Sequence, residues 1–446
     1  MKKKLQYVLV GTGQRSWMYT TALMKEHADD GKLCAICDTN QRRMDFWNRF
    51  FKEQYNHDPL PTYKAADFDR MIAEIKPDKV IVTSMDRTHH KYICRAMELG
   101  CDVITEKPMT MDAEKCQQII DTQKRTNRHV TVTFNYRYSP RNTKIKEIIK
   151  SGLVGDITSV HFEWMLNTSH GADYFRRWHR CKNNSGGLLV HKATHHFDLV
   201  NWWIDSQPET VFSMGSLRFY GKENAENRGV TDFYYRCRDS KVAEKDPFRF
   251  KLPPDPYWGR IYNGIYFDAE SEDQYYRDQS VFGDGINIED NMGVIVRYQN
   301  KAILTYSLNA HAPWEGYRVC FNGTKGRLEF NVVEVSSSSN DGEDVTVDFP
   351  GAHPLETERM QLLPEIIFQP HWGKPYVIDY PEVAADADHG GGDVLLLKHV
   401  FQGVENDPLG LAADYVDGAR SILIGIAANQ SIASGQPVEV APLVHF

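Results

Sequence analysis

The sequence predicts two architectures in series: an α/β half on a doubly wound parallel sheet, then a larger α+β half on an open, mostly antiparallel sheet. Three observations carry this. Apolar runs near 5–10, 33–37, 79–83, 102–105 and 130–133 alternate with amphipathic stretches such as 64–76, 89–99 and 112–127, as βαβ crossovers require. The first run ends in a glycine pair placed to turn a strand into a helix. After Ser139-Pro140 one helix runs to about Ser151, and strands then follow one another at 157–165, 210–219, 292–298, 302–308 and 317–321, which implies antiparallel pairing. The boundary is therefore set after residue 138, giving domains 1–138 and 139–446.

Taken in order, the run Leu5 to Val10 follows Met1-Lys2-Lys3-Lys4, which has the charge of a leader peptide. It stops at glycines without a small-residue cleavage site and reads as a strand. The second run holds Cys34 and Cys37 and ends at Asp38. A Cys-x-x-Cys inside an apolar strand packs in a core, whereas a redox pair belongs at a helix start. Pro77 closes one helix and Gly100 the next. From Tyr220 to Gly285 the chain is rich in charge, Tyr and Pro and too long for a plain connection. An excursion with local structure is expected there, near the cleft or a subunit interface. Ser336 to Gly342 reads as a loop tip or linker.

Bulk properties narrow the partners. A chain of 446 residues, 41% hydrophobic and 25% charged, supports two cores. A net charge of −8 supplies no field for a phosphate backbone, so no nucleic-acid partner is expected. No stretch nears the roughly 20 apolar residues of a spanning helix, so no membrane partner is expected either. Eight cysteines in this length form no dense framework, which fits a reducing cytoplasm.

The turn Gly11-Thr12-Gly13-Gln14-Arg15-Ser16 follows the first strand directly. Its glycines permit a tight turn and close backbone approach, and the helix start behind it faces a pyrophosphate. Ser16 stands where a third glycine is usual. The second strand ends in Asp38, whose carboxylate suits both ribose hydroxyls and repels a 2′-phosphate, so a Rossmann domain with NAD is expected over NADP; Arg42 and Arg43 nearby leave NADP open. Asp38 can also be read as a helix N-cap.

Further along stand Ser84-Met85-Asp86-Arg87-Thr88-His89, then Glu106-Lys107-Pro108 and Phe134-Asn135-Tyr136-Arg137-Tyr138. They are followed by Ser151 to Asp156, by Gly186-Gly187 leading to His195, and by Asn322-Gly323-Thr324-Lys325-Gly326. In this order they are similar to the Gfo/Idh/MocA family (glucose-fructose oxidoreductase, inositol dehydrogenase, rhizopine catabolism). The resemblance spans nearly the whole chain. It implies an NAD-binding Rossmann domain, an open-sheet substrate domain through which such enzymes often oligomerise, as dimers or tetramers, and a site between the two. It also places Lys107 beside nicotinamide and substrate, with Ser84, His89 and Glu106 around the cofactor.

The segment His191-Lys192-Ala193-Thr194-His195-His196-Phe197-Asp198 has helical spacing, which puts His191, His195 and Asp198 on one face. The family pattern is Asp, three residues, His, two residues, Asp, which implies that His195 is the acid/base; an imidazole suits proton transfer at neutral pH. His191 departs from that pattern. It removes a carboxylate and leaves His191, His195 and Lys107 crowded as basic groups, with Lys192 adjacent. Three resolutions stand open. The substrate brings negative charge, with which Arg176, Arg177, Arg180 and Lys182 agree; the imidazoles stay neutral and act as a hydrogen-bonded pair; or His-x-x-x-His holds a metal, which hydride transfer does not need. His191 and His196 can also simply pack beneath Trp202 and Trp203. Arg137, Tyr138, Tyr174, Trp178 and His179 are further candidates for touching the sugar, with Asn135 at the crevice and His389 to Asp393 opening the C-terminal helix.

The expected activity is hydride transfer between a sugar hydroxyl carbon and nicotinamide, with His195 taking the proton and Lys107 polarising the oxygen. The alternative is a glycosidase or epimerase that keeps its NAD and oxidises a ring carbon transiently.

Overall fold

The computed structural model describes residues 4–338, 365–381 and 388–446. Six strands, β1 (Leu5–Val10), β2 (Gly31–Asp38), β3 (Thr62–Lys64), β4 (Lys79–Val82), β5 (Asp102–Thr105) and β6 (Val130–Val132), form a parallel sheet in the order β6-β5-β4-β1-β2-β3. Their apolar residues are buried because crossovers cover both faces: α1 (Ser16–Met24), α2 (Gln41–Tyr55), α3 (Phe68–Ile75), α4 (Asp86–Glu98) and α5 (Ala113–Thr126). Helix α4 starts three residues earlier than the apolar pattern indicates, because Asp86 belongs to its first turn, where a carboxylate suits the helix dipole. The N-cap of α2 is Asn40, whose side chain accepts from the Arg43 amide; this excludes Asp38 from that role. Of the Cys-x-x-Cys, Cys37 is fully buried in β2 as the core-packing reading requires, whereas Cys34 is only half-buried.

The second sheet runs β14-β13-β12-β11-β7-β10-β9-β8, with Val438–Glu439 on the β8 edge. Its strands are β7 (Ile157–Asn167), β8 (Pro208–Ser216), β9 (Asn291–Tyr298), β10 (Ile303–Ala312), β11 (Glu315–Gly323), β12 (Gly326–Val335), β13 (Ile366–Pro370) and β14 (Tyr376–Ile378). All pairs are antiparallel except the central β7 and β10. Alternating burial along β9 and β10 shows one covered face, and the helices Thr194–Ile204 and Tyr415–Ser434 pack together on that side.

Three expectations need correction. The 138/139 boundary is not clean, since Ala413–Asp414 returns to pair antiparallel with β6 and becomes a seventh strand of the first sheet. His389 to Asp393 does not open the last helix: Gly392–Gln402 is followed by Tyr415–Ser434, started by a capping box at Asp414. The segment from His191 to Asp198 is not one helix. A short helix ends at His191, the next starts at Thr194, and Lys192 and Ala193 form the joint. Of the Ser336 to Gly342 stretch, residues 339–342 lie outside the described residues. Among the described residues no helix is long and apolar enough to cross a membrane.

The Tyr220 to Gly285 excursion leaves the second sheet and lies against the first domain. Its helix Pro256–Tyr262 brings Tyr257 to accept from the Trp17 indole at 2.9 Å, and Tyr262 donates to Gln14 Oε1 at 3.0 Å. Arg43 Nε donates to the Ile265 carbonyl at 2.8 Å and Asn40 to the Ala269 carbonyl at 2.9 Å. Gly264 packs so closely on the Phe46 ring that a Cβ would collide with it. The excursion is thus a strap pinned to α1 and α2.

Candidate active site

A cleft of about 670 Å³ opens at the carboxyl ends of β1, β4 and β5, where the strand order reverses. One end is built for a dinucleotide. Gly11 has φ +95°, and a side chain there would run into the Ser84 backbone, so the ends of β1 and β4 meet only over glycine. Gly13 faces open space, and α1 starts without a side-chain cap, its Ser16 and Trp17 amides donating back to the Gly13 and Gln14 carbonyls at 3.1 Å, so the positive end of the helix dipole faces the cleft. Asp38 is buried at the tip of β2. Its Oδ2 accepts from the Thr12 amide at 2.6 Å and hydroxyl at 2.8 Å, while Oδ1 lies 3.7 Å from Arg43. Arg43 also reaches Asp273 at 2.6 Å. These residues fit the cofactor that the turn implies.

Between the ends, Arg15 bonds Glu106 at 2.6 Å and approaches Asp393 at 3.9 Å. Tyr19 also donates to Glu106; burial pushes that carboxyl up, but Arg15 and Tyr19 hold it below the ordinary range. His89 sits between the carbonyls of Ser84 and Pro108, at 2.8 and 2.9 Å, and ties the two loops together.

The other end gathers basic groups from both domains. Lys107 follows β5, and its ammonium donates to the His191 carbonyl at 3.5 Å. Burial, then Lys192, pushes Lys107 down to about 8. His195 lines the cleft with its ring edge against Tyr136, centroids 4.8 Å apart. His191 Nδ1 lies 2.6 Å from Asp86 Oδ2. Burial, then Lys107 and Arg177, holds the His191 imidazole neutral, well below its ordinary range, and burial raises Asp86 to about 7 against the opposing pull of His89, Lys107 and Arg177. Tyr174, Trp178 and His179 wall this end, with Trp178 and His179 stacked at 3.6 Å.

The cleft lining thus brings together Gly11, Gly13, Gln14, Arg15, Asp38, Ser84, His89, Glu106, Lys107, Tyr174, Trp178, His179, His191 and His195. Four candidates lie elsewhere. Asn135 is buried and donates to Asp393 Oδ1 at 2.5 Å. Ser16 turns its hydroxyl back to the Gly13 carbonyl at 2.6 Å. Arg137 is buried in a two-pronged pair with Asp198, at 2.5 and 2.8 Å, and donates to the Gly410 carbonyl. Tyr138 bonds His399 at 2.8 Å, on the wall of a second cavity.

Two family models match in succession: "Oxidoreductase family, NAD-binding Rossmann fold" over residues 5–134 and "Oxidoreductase family, C-terminal alpha/beta domain" over 146–440. YteT of Bacillus subtilis (strain 168) is 35% identical over 443 residues, 98% of each chain. The chain belongs to the Gfo/Idh/MocA oxidoreductase family. Another relative, the inositol 2-dehydrogenase/D-chiro-inositol 3-dehydrogenase of Lactiplantibacillus plantarum, is 23% identical over 311 residues, 66% of this chain and 81% of its own. In fold, the Gfo/Idh/MocA chain is like the WlbA dehydrogenase from Bordetella pertussis, solved in complex with NADH and UDP-GlcNAcA: TM-score 0.60, 14% identity, 98% of this chain and 99% of that one.

Against the Gfo/Idh/MocA pattern, the departure at His191 has a structural counterpart. The carboxylate missing from its helix comes from Asp86, at the start of α4, 105 residues earlier. Asp86 lies in the run Ser84 to His89, and its position just past the end of β4 at the crevice is the sequence signal for it. Of the four basic residues upstream, only Arg177 lines the cleft; Arg176 goes to Asp173 and the Phe248 carbonyl, Arg180 to Gln279, and Lys182 to Glu289. Trp258, Tyr266, Asp273 and Tyr275 of the strap complete the wall, and no periodicity announces them. Among the described residues no three His, Cys, Asp or Glu side chains converge to hold a metal.

Proposed function

We propose that this protein is an NAD-dependent dehydrogenase acting on a CH–OH carbon of a sugar or sugar derivative. The observation that carries the reading is that Lys107 and His195 face one cleft whose far end is the Gly11 to Arg15 turn and Asp38. When bound there, nicotinamide supplies the hydride acceptor. Glycines 11 and 13 and the start of α1 hold the phosphates, and Asp38 takes the ribose hydroxyls. Arg43, the cation beside Asp38, is already matched by Asp38 and Asp273, which favours NAD over NADP. The His195 imidazole accepts the substrate hydroxyl proton, and the Lys107 ammonium steadies the oxygen as negative charge develops on it. Tyr174, Trp178 and His179 offer flat faces to a sugar ring. Met214, Ile295 and Ile303, exposed on the outer face of the second sheet, support a homo-oligomer. A cytoplasmic location fits the eight unpaired cysteines.

The second reading, a glycosidase or epimerase that retains its NAD, is favoured by one observation: the strap is bonded to Gln14 and Trp17 beside the phosphate turn. One experiment separates the two. The purified protein is incubated with NAD and a panel of sugars, uronates and aryl glycosides while NADH absorbance and aglycone release are followed. Net NADH without cleavage supports the dehydrogenase, and cleavage without NADH supports the alternative. Neither signal, with sugar binding unaltered in His195→Ala, overturns both.

A further inference from the structure

Among the cations lining the cleft, Arg43 and Arg15 are matched by carboxylates, Arg87 is exposed to solvent, and Lys107 and Arg177 are crowded at the far end. Asp38 and Asp273 answer Arg43, and Glu106 and Asp393 answer Arg15. That leaves Asp86, the remaining acidic side chain in the described lining, in the field of both Lys107 and Arg177. Behind Arg177 the imbalance deepens. Arg176, Arg177 and Arg277 all converge on one carboxylate, Asp173, at 3.1, 3.3 and 2.7 Å. Three guanidinium groups against one carboxylate, in a part of the molecule largely shielded from water, is costly unless other groups take up the charge.

Arg277 and Arg176 find such groups. Arg277, 2% exposed, lies over the rings of Phe250, Tyr262 and Tyr266 at 5.1 to 5.6 Å. Arg176 spends a second nitrogen on the Phe248 carbonyl, away from the cleft. Arg177 alone of the three lines the cleft, with the longest of the three contacts to Asp173 and the Tyr275 hydroxyl as its other polar neighbour.

We infer that Arg177 binds an anionic group on the substrate, so that the sugar is a carboxylated or phosphorylated one. The inference rests on reading this cleft as a sugar site. A planar guanidinium presents paired donors that match a carboxylate or a phosphate. The bound anion also supplies the counter-charge that Lys107 and Arg177 share.

The test is calorimetric and does not depend on turnover. D-glucose, D-glucuronate and D-glucose 6-phosphate, with the corresponding galactose set, are titrated into the NAD-loaded protein. An anionic member of a set should bind at least about tenfold more tightly than its neutral hexose, and which member does so separates carboxylate from phosphate. In Arg177→Gln that ratio should fall to about one, and in Arg177→Lys only part of it should be lost. Circular dichroism and NAD titration show whether each variant folds. Equal binding of neutral and anionic sugars overturns this inference and leaves the dehydrogenase reading standing, whereas no sugar binding at all overturns both. Preference intact in Arg177→Gln, with NAD affinity lost instead, would assign the guanidinium to the cofactor and also overturn it.

Discussion

At Asp86 a carboxyl group is 3% exposed and hydrogen-bonded to His191 beside Lys107, so the fold holds its proton more tightly than the unfolded chain does. Its pKa rises from 3.8 to about 7, chiefly through burial. The stability tied to that proton is complete below the ordinary carboxyl range and lost as pH rises through about 7. Asp86→Asn keeps an acceptor for His191 and removes the buried charge. It is expected to raise the melting temperature more near about pH 8 than near about pH 5 while lowering kcat; thermal melts at both pH values decide, and equal shifts would count against the assignment. Asp38→Ser removes the carboxylate that repels a 2′-phosphate and releases one of Arg43's two acidic partners. The ratio of kcat/KM for NADP over NAD should rise, and an unchanged ratio would mean that Asp273 alone keeps Arg43 occupied. Position along the chain made Lys107, Asp38 and the glycines legible, because strand ends at a crevice point to a ligand. Direction was not legible. Arg137 stands where a crevice residue should, yet its side chain turns to Asp198, and no spacing in the sequence pairs those two.

Elements with a strong period were the readable ones. The run at 102–105 is β5 to the residue, and the crossover helices follow the apolar stripes closely. The three-residue β3 and the two-residue strands are too short to show any period, and the joint at Lys192 and Ala193 hides inside helical spacing. The strap was visible as something too long to be a loop, but its partners on α1 and α2 lie more than two hundred residues away. Its Trp258 ring packs against Trp17 with centroids 4.9 Å apart and forms part of the cleft wall. Trp258→Ala should speed NAD release by about two- to tenfold, followed by stopped-flow fluorescence. An unchanged release rate would mean that the strap does not retain the cofactor, and would weaken the NAD-retaining alternative with it.

Across the whole molecule, Arg137 joins segments far apart in sequence: it pairs with Asp198 in the second domain, lies 3.4 Å from Asp417 and donates to the Gly410 carbonyl. Both partners of the central pair are almost fully buried, so removing one strands the other's charge. Asp198→Ala is expected to cost about 3–5 kcal/mol in urea unfolding; a loss below about 1 kcal/mol would show that Asp417 can take over. The same region shapes how the chain is made. Six strands of the first sheet have been synthesised by Val132, but the partner of β6 arrives only with Ala413–Asp414. For nearly three hundred residues of translation the growing sheet carries a bare edge, with backbone donors and acceptors open to any neighbouring strand. A ribosome-bound nascent chain is therefore exposed to pairing with its neighbours on a polysome until its last helix begins, and a truncated product ending near residue 138 would keep that edge for good.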